Sequence, residues 1–263
     1  MNREAPIGIF DSGIGGLTVA NAIQKKLPKE NIIYFGDTKH LPYGEKSPDA
    51  IIRFSKKITS FLLNNKCKII IIACNTASSV AYEVVKKSAQ KIPVVNVIDP
   101  VINSLTEFNQ NKIGIIGTKR TILSNIYNDK LLLKNKLLKV CSLATPLLAP
   151  MIEEGFFNDQ VSKTVIDSYL KSPVLKSIDT LILACTHYPL VKENISSFFN
   201  NKVNIIDSSK EVAIHVKKLL ESKNLTSTKK TKNQFYVSDF TDSFVESAKF
   251  FFKEKINLKE VAL

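Results

Sequence analysis

The sequence predicts an α/β protein of two similar lobes, each a mostly parallel sheet flanked by helices, related by a pseudo-twofold axis with a ligand cleft between them. Two observations carry this. Short runs rich in Ile and Val alternate with longer helix-like segments, the pattern of parallel strands joined by crossover helices. Three short stretches also recur in the same order: "IGIFDS" from Ile7 and "IGIIGT" from Ile113, 106 residues apart; "IIIIAC" and "LILAC", ending at Cys74 and Cys185, 111 apart; and "VNVID" and "VNIID", ending at Asp99 and Asp207, 108 apart. One match would be chance among Ile-rich strands, but three at nearly constant spacing indicate a repeated unit.

In chain order, the apolar run Ile7 to Phe10 is the first strand, and the helix Leu17 to Leu27 follows its glycine-rich turn. Ile32 to Phe35 is the second strand and Pro48 to Asn64 the next helix; Lys68 to Ala73 and Val94 to Ile98 complete the first repeat. Ile113 to Ile116, Leu138 to Leu143, Thr180 to Ala184 and Val203 to Ile206 are the strands of the second, with a helix over Pro189 to Phe199. Beyond it lie a helix over Glu211 to Lys223, a strand near Phe235 to Val237 and a helix over Thr241 to Phe252. Because these lie past the second repeat, they are expected to return to the first lobe. The expected division is therefore 1–98 plus 208–263 for the first α/β lobe and 99–207 for the second.

At 263 residues and 44% apolar composition, the chain can bury a core in each of two lobes. No apolar run approaches the roughly 18 residues that span a bilayer, and the N-terminus has no signal-peptide core, so a cytoplasmic location without membrane association is expected. The formal charge is +13, yet only Arg3, Arg53 and Arg120 are arginine, which leaves 34 of the 37 basic residues as lysine. Arginine is the side chain that reads bases and grips phosphates bidentately, so this excess reads as a solvated lysine face and no nucleic-acid partner is expected. The densest run, Lys229-Lys230-Thr231-Lys232, has no interleaved aromatic and reads as a loop.

Four cysteines occur without a CxxC pair and are expected to be thiols. Cys67 and Cys141 lie in or beside apolar runs and read as small buried residues. Cys74 and Cys185 differ, because each stands where an apolar strand stops and each is followed by small polar donors, Asn75 and Thr76 in one case and Thr186 and His187 in the other. A thiol at a strand-to-helix junction sits near the unsatisfied N–H groups of the first turn, which favour the thiolate. Two such thiols on opposite faces of one bound molecule form an acid–base pair, one removing a proton while the other supplies one. Sulfurs flanking one carbon should lie roughly 6–7 Å apart, close yet unbridged.

"FDSGIGG", from Phe10 to Gly16, lacks the third glycine of a dinucleotide fingerprint, since position 18 is Thr18, although Asp37 could serve as a ribose ligand. The turn also lets a small anion approach backbone N–H groups, while Asp11 supplies a counter-charge for an ammonium. Those features suit a zwitterion.

Over nearly the whole chain these residues resemble the glutamate racemases, of the aspartate/glutamate racemase family. The resemblance rests on "GIFDSGIGGLTV" at Gly8, "YFGDTKHLPYGEKS" at Tyr34, "ACNTAS" at Ala73, "GIIGTKRTI" at Gly114, "PMIEEG" at Pro150 and "LACTHYPL" at Leu183. It implies cofactor-independent, metal-free interconversion of L- and D-glutamate, supplying D-glutamate for peptidoglycan, and it is compatible with a homodimer. It further implies that Cys74 deprotonates D-glutamate and Cys185 L-glutamate, with Asp11 assisting Cys74, and Glu153 and His187 assisting Cys185. The implied substrate contacts are Asp11, Ser12, Tyr43, Gly44, Asn75, Thr76, Thr118, Thr121, Thr186 and His187.

Plainer readings stand beside these. Thr118 and Thr186 also suit helix caps, Glu153-Glu154 a solvated helix end, and His187 a hydrogen-bonded turn. Three residues depart from the family pattern: His40 where Arg is usual, Arg120 where a small residue is usual, and Ala184 where Gly is common. Arg120 is expected to point outward. The alternatives are an aspartate racemase and a Cys₂His zinc hydrolase built on Cys74, Cys185 and His187. A non-enzymatic module that binds nucleic acid through its lysines is a third.

Overall fold

The computed structural model describes residues 2–105, 112–252 and 256–263. The chain begins with β1 (Ile7–Asp11), α1 (Leu17–Lys26), β2 (Ile32–Gly36), α2 (Pro48–Asn64), β3 (Ile69–Ile72), α3 (Asn75–Ala89), β4 (Val94–Asn96) and α4 (Ile98–Ser104). It continues with β5 (Lys112–Gly117), α5 (Lys119–Leu123), α6 (Ile126–Lys134), β6 (Lys139–Ala144), α7 (Leu148–Glu153), α8 (Gln160–Leu170), β7 (Thr180–Ala184), α9 (Lys192–Phe198) and β8 (Asn204–Asp207). The last elements are α10 (Ser208–Ser222), β9 (Gln234–Val237), α11 (Asp242–Phe252) and β10 (Leu258–Glu260).

Every strand pairing is parallel, and the strands form two sheets with the orders β10-β9-β2-β1-β3-β4 and β6-β5-β7-β8. The repeats account for this. β1, β2, β3 and β4 correspond in turn to β5, β6, β7 and β8, and both sets assemble in the order second, first, third, fourth. The first sheet gains two further strands because the chain returns to it, β9 pairing with β2 and β10 with β9. On that pairing we propose 1–98 with 208–263 as the first lobe and 99–207 as the second.

The uninterrupted Ile run of β3 has a simple cause, since a strand covered on both faces needs apolar side chains at every position. Ile69 and Ile71 join a core shared with Ile7, Ile9, Leu17 and Val216, whereas Ile70 and Ile72 pack with Phe10, Ile58 and Leu62 against the other face. The former core continues without a break to Leu181 and Leu183 of the second sheet. The two sheets therefore share one apolar interior.

Four local readings are corrected. The strand expected to reach Ile98 ends at Asn96, because the Asn96 carboxamide oxygen accepts from the N–H groups of Ile98 and Asp99 and turns the chain into α4. The helix expected from Pro189 opens as a 3₁₀ turn over Tyr188–Val191 before α9. The helix expected from Glu211 starts at Ser208, because Asp207 caps it by accepting from the Lys210 N–H. β10 shows no sequence signal, since only Leu258 of its three residues is buried. Lys229 to Lys232 is a loop, as expected.

At the amino-terminal edge of the first sheet, Lys68 and Glu30 form a fully buried ion pair with Nζ 2.5 Å from Oε2. The Lys68 ammonium also donates to the carbonyls of Arg3 (2.6 Å) and Leu225 (2.8 Å), and Glu30 Oε1 accepts from the Ser227 N–H (2.8 Å). The cluster thus ties the N-terminus and the returning segment to β3. Removing one partner strands a charge in the interior, so Lys68→Met is expected to lower the unfolding free energy by about 3–5 kcal/mol. Urea denaturation measures this, and a loss below about 1 kcal/mol would show that the pair does not hold the returning segment.

Candidate active site

Segments at the carboxyl ends of strands from both sheets meet at one cavity, the position where open parallel sheets present their ligand sites. Ser12 follows β1, Tyr43 and Gly44 lie in a 3₁₀ turn after β2, and Cys74, Asn75 and Thr76 follow β3. From the other side come Thr118 after β5, Glu153 at the end of α7, and Ala184, Cys185, Thr186 and His187 at and after β7. All of these line the cavity, with Leu41, Pro42, Ala149 and Pro150 as its apolar wall. Of the expected site residues, Asp11 and Thr121 stand just behind this wall. A second, open groove along β9, β10 and α11 is lined, among the described residues, by no Cys, His, Asp or Glu.

Both thiols are free, both are 5% exposed, and they approach from different sheets. Their surroundings differ. Cys74 caps α3, its sulfur accepting from the Ala77 N–H (3.4 Å) while the thiol donates to Ser12 Oγ (3.6 Å). Burial, reinforced by the negative charge of Asp11, nevertheless pushes its pKa up to about 12. The thiolate expected from the helix position is therefore not the resting state, because desolvation outweighs one N–H and a helix end. Cys185 is followed by a turn rather than an α-helix, and its sulfur faces His187 Nδ1 at 3.5 Å.

His187 Nε2 lies 2.7 Å from Glu153 Oε1, which extends the line of contacts to Cys185-His187-Glu153. Burial alone would deprive His187 of its proton, but the neighbouring carboxylate and sulfur more than offset this and hold its pKa well above the ordinary imidazole value. Both ring nitrogens then donate, Nε2 to Glu153 and Nδ1 towards Cys185 and Thr186 Oγ1 (3.4 Å). Glu153 is thus part of an ion pair and not a solvated helix end.

The glycine turn serves this arrangement by allowing close approach. A Cβ at Gly15 would lie 2.4 Å from His187 Cε1, and one at Gly16 would lie 2.5 Å from Asp11 Cβ. Asp11 is fully buried, and its Oδ2 accepts the N–H groups of Gly13 and Gly16, both at 3.1 Å. Those donors are therefore occupied by the protein's own carboxylate, contrary to the expectation that they await an anion. Asp11 Oδ1 has no partner, and burial raises the pKa of the group despite His187 and the two N–H donors. Asp37 is no free ribose ligand, since it accepts from Tyr43 Oη (2.6 Å) and Ser238 Oγ (2.7 Å) and meets His40 Nδ1 (2.8 Å).

Hydroxyls join the lobes across the cavity. Thr76 Oγ1 lies 2.9 Å from Thr118 Oγ1 and 3.2 Å from Thr121 Oγ1, and the latter two are 3.0 Å apart. Thr118 combines both readings, since it caps α5 through the Thr121 N–H (3.3 Å) and also lines the cavity. Thr186 caps nothing; its carbonyl accepts from Thr18 Oγ1 (2.9 Å). Arg120 points neither outward nor into the cavity, because its Nε donates to the Lys46 carbonyl (3.1 Å) on the opposite lobe. Gly44 makes room for Thr118, as a Cβ there would lie 2.9 Å from Thr118 Cβ. His40 stacks on Phe54 with ring centroids 3.9 Å apart, outside the cavity.

Two further buried phenols contact residues of the glycine turn and of the wall. Tyr34 Oη donates to the Gly13 carbonyl (2.7 Å), and Tyr127 Oη donates to Asn75 Oδ1 (2.6 Å). Among the described residues, no cluster of His, Cys, Asp and Glu is arranged to hold a metal, so Cys74, Cys185 and His187 form no Cys₂His site. Likewise, no helix of the described residues is long and apolar enough to cross a membrane.

The family model for Asp/Glu/hydantoin racemases matches residues 17–219. A glutamate racemase of Chlorobium phaeobacteroides is 42% identical over 256 residues, covering 96% of this chain and 94% of that protein. The crystal structure of the Francisella tularensis glutamate racemase in complex with D-glutamate superposes with a TM-score of 0.94 at 38% identity, covering 99% and 98% of the two chains. A Bacillus anthracis glutamate racemase isoform superposes equally well, at 35% identity over 100% and 99%.

The raised His187 pKa implies a stability contribution that is complete below the unfolded imidazole value of ~6.5 and is lost as pH rises through the higher folded value. Glu153→Gln removes the charge that retains the proton. In the variant the His187 titration is expected to move to lower pH, followed by NMR of the imidazole Cε1–H, and an unmoved titration would break the assigned ion pair.

Proposed function

The chain belongs to the Asp/Glu/hydantoin racemase family and is an amino-acid racemase, and from that premise we propose that it interconverts L- and D-glutamate with Cys74 and Cys185 as the two proton carriers. The observation that carries this reading is that two unbridged thiols, delivered by equivalent strands of two sheets, line a single cavity.

The two halves of the site surround their thiols differently. Burial and Asp11 keep Cys74 as a thiol, ready to donate. The Cys185 sulfur faces the imidazolium of His187, whose charge is compensated by Glu153. In the L-to-D direction, Cys185 as thiolate removes the α-proton, leaving a planar carbanion, and the Cys74 thiol returns a proton from the opposite face. The C–H pair of electrons rests on Cα until the Cys74 proton re-forms the bond there, and the charge ends on the Cys74 sulfur. The D-to-L direction runs the same steps with the roles exchanged. Asp11, buried with one unpartnered oxygen behind Cys74, provides a polar partner on that side.

Substrate is held by Ser12, Tyr43, Gly44, Asn75, Thr76, Thr118, Thr186 and His187 at the wall, backed by Asp11 and Thr121. Hydroxyls, an amide and backbone N–H groups can grip two carboxylates while His187 alone brings a positive charge to the wall. Among the described residues lining the cavity, Cys74 and Cys185 are the side chains that can carry both proton transfers. The product D-glutamate suits a role in peptidoglycan synthesis in the cytoplasm, by the family resemblance.

Incubation of purified protein with L-glutamate in heavy water, followed by circular dichroism and α-proton exchange, is expected to show loss of optical activity with deuterium in the product. Parallel incubation with L-aspartate should show far slower change. Cys74→Ser and Cys185→Ser are each expected to lower racemisation by about 10²–10⁴-fold. A single variant retaining most of its activity would remove that cysteine from the mechanism.

A further inference from the structure

Asn75 stands directly after Cys74, opens α3 and lines the cavity while only 2% exposed. Its side chain has ends of opposite polarity, a carbonyl that only accepts and an NH₂ that only donates. Whichever end faces the cleft decides whether a carboxylate there is attracted or repelled. The Asn75 amide in isolation has no reason to choose, since half a turn about its last side-chain bond exchanges the two ends with little change in shape.

The choice is made from the other lobe. Tyr127, on α6, is 3% exposed, and its hydroxyl reaches Asn75 Oδ1 at 2.6 Å. Asn75 Nδ2 is left buried with no hydrogen-bond partner. Burial and the nearby Asp99 and Cys185 hold the phenol well above its usual range, so it keeps its proton, and in this geometry it gives that proton's hydrogen bond to Asn75 Oδ1. An unsatisfied buried donor costs about 1–3 kcal/mol, a cost that an incoming acceptor removes.

We propose that Tyr127 is a positioning residue that fixes the Asn75 amide with its carbonyl held away from the cleft and its NH₂ offered to a carboxylate of the bound amino acid. This rests on the reading of Asn75 as a glutamate contact. Because the bond joins α6 of the second lobe to α3 of the first, the donor is correctly aimed only when the lobes are together.

The test is Tyr127→Phe, which keeps the ring and removes only the hydroxyl. With L- and D-glutamate, KM is expected to rise about tenfold for both enantiomers while kcat changes less than about twofold, because contact with a non-reacting carboxylate is shared by ground and transition states. In an Asn75→Ala background the same change should have no further effect on KM, the result required if Tyr127 acts through Asn75. An unchanged KM in Tyr127→Phe, or an equal rise in both backgrounds, would overturn the proposal. A second readout needs no substrate: the Asn75 ¹³Cγ resonance, shifted downfield by the hydrogen bond it accepts, should move upfield in Tyr127→Phe. If it does not move, Tyr127 does not hold the amide. If it moves but the wild-type protein racemises no glutamate, the functional reading falls and the positioning role stands.

Discussion

Two parallel sheets with the same strand order are placed so that the carboxyl ends of their equivalent third strands open onto one cavity, and the chemistry depends on that placement. In a parallel sheet all strand ends of one polarity gather along one edge, so each sheet can present its loops in only one direction. Bringing two such edges together creates a site with a thiol on each side. A single sheet would have placed both cysteines on the same edge.

Close approach has to be accommodated across this junction. Gly15 and Gly44 are the points where a side chain would collide with the opposite half, against His187 and Thr118. The threonine hydroxyls at 76, 118 and 121 and the Arg120–Lys46 bond then supply polar contacts over the same seam. The length of the Arg120 side chain is used to span the gap rather than to enter the cavity.

The halves are equivalent in backbone and unlike in electrostatics. Cys74 sits where burial and a buried carboxylate favour a proton on sulfur, whereas Cys185 faces an imidazolium sustained by Glu153. A two-base reaction between enantiomers needs one loaded and one empty proton carrier at the start of each turnover. The repeat supplies the matched positions, and the neighbours of each thiol supply the difference in surroundings.

The strands, the repeat and the return of the chain to the first lobe were legible in sequence because buried parallel strands read as continuous apolar runs, which depend on local composition alone. The two cysteines were legible for the same reason, since each ends such a run. The sequence by itself determined where the two paired cysteines stand and that they come in two equivalent sets. Tertiary structure alone decided the protonation of Cys74, the capture of the Gly13 and Gly16 N–H groups by Asp11, the inward role of Glu153 and the reach of Tyr127 to Asn75. Each of these depends on desolvation or on a contact between residues far apart in the chain, quantities set by the packing of one lobe on the other.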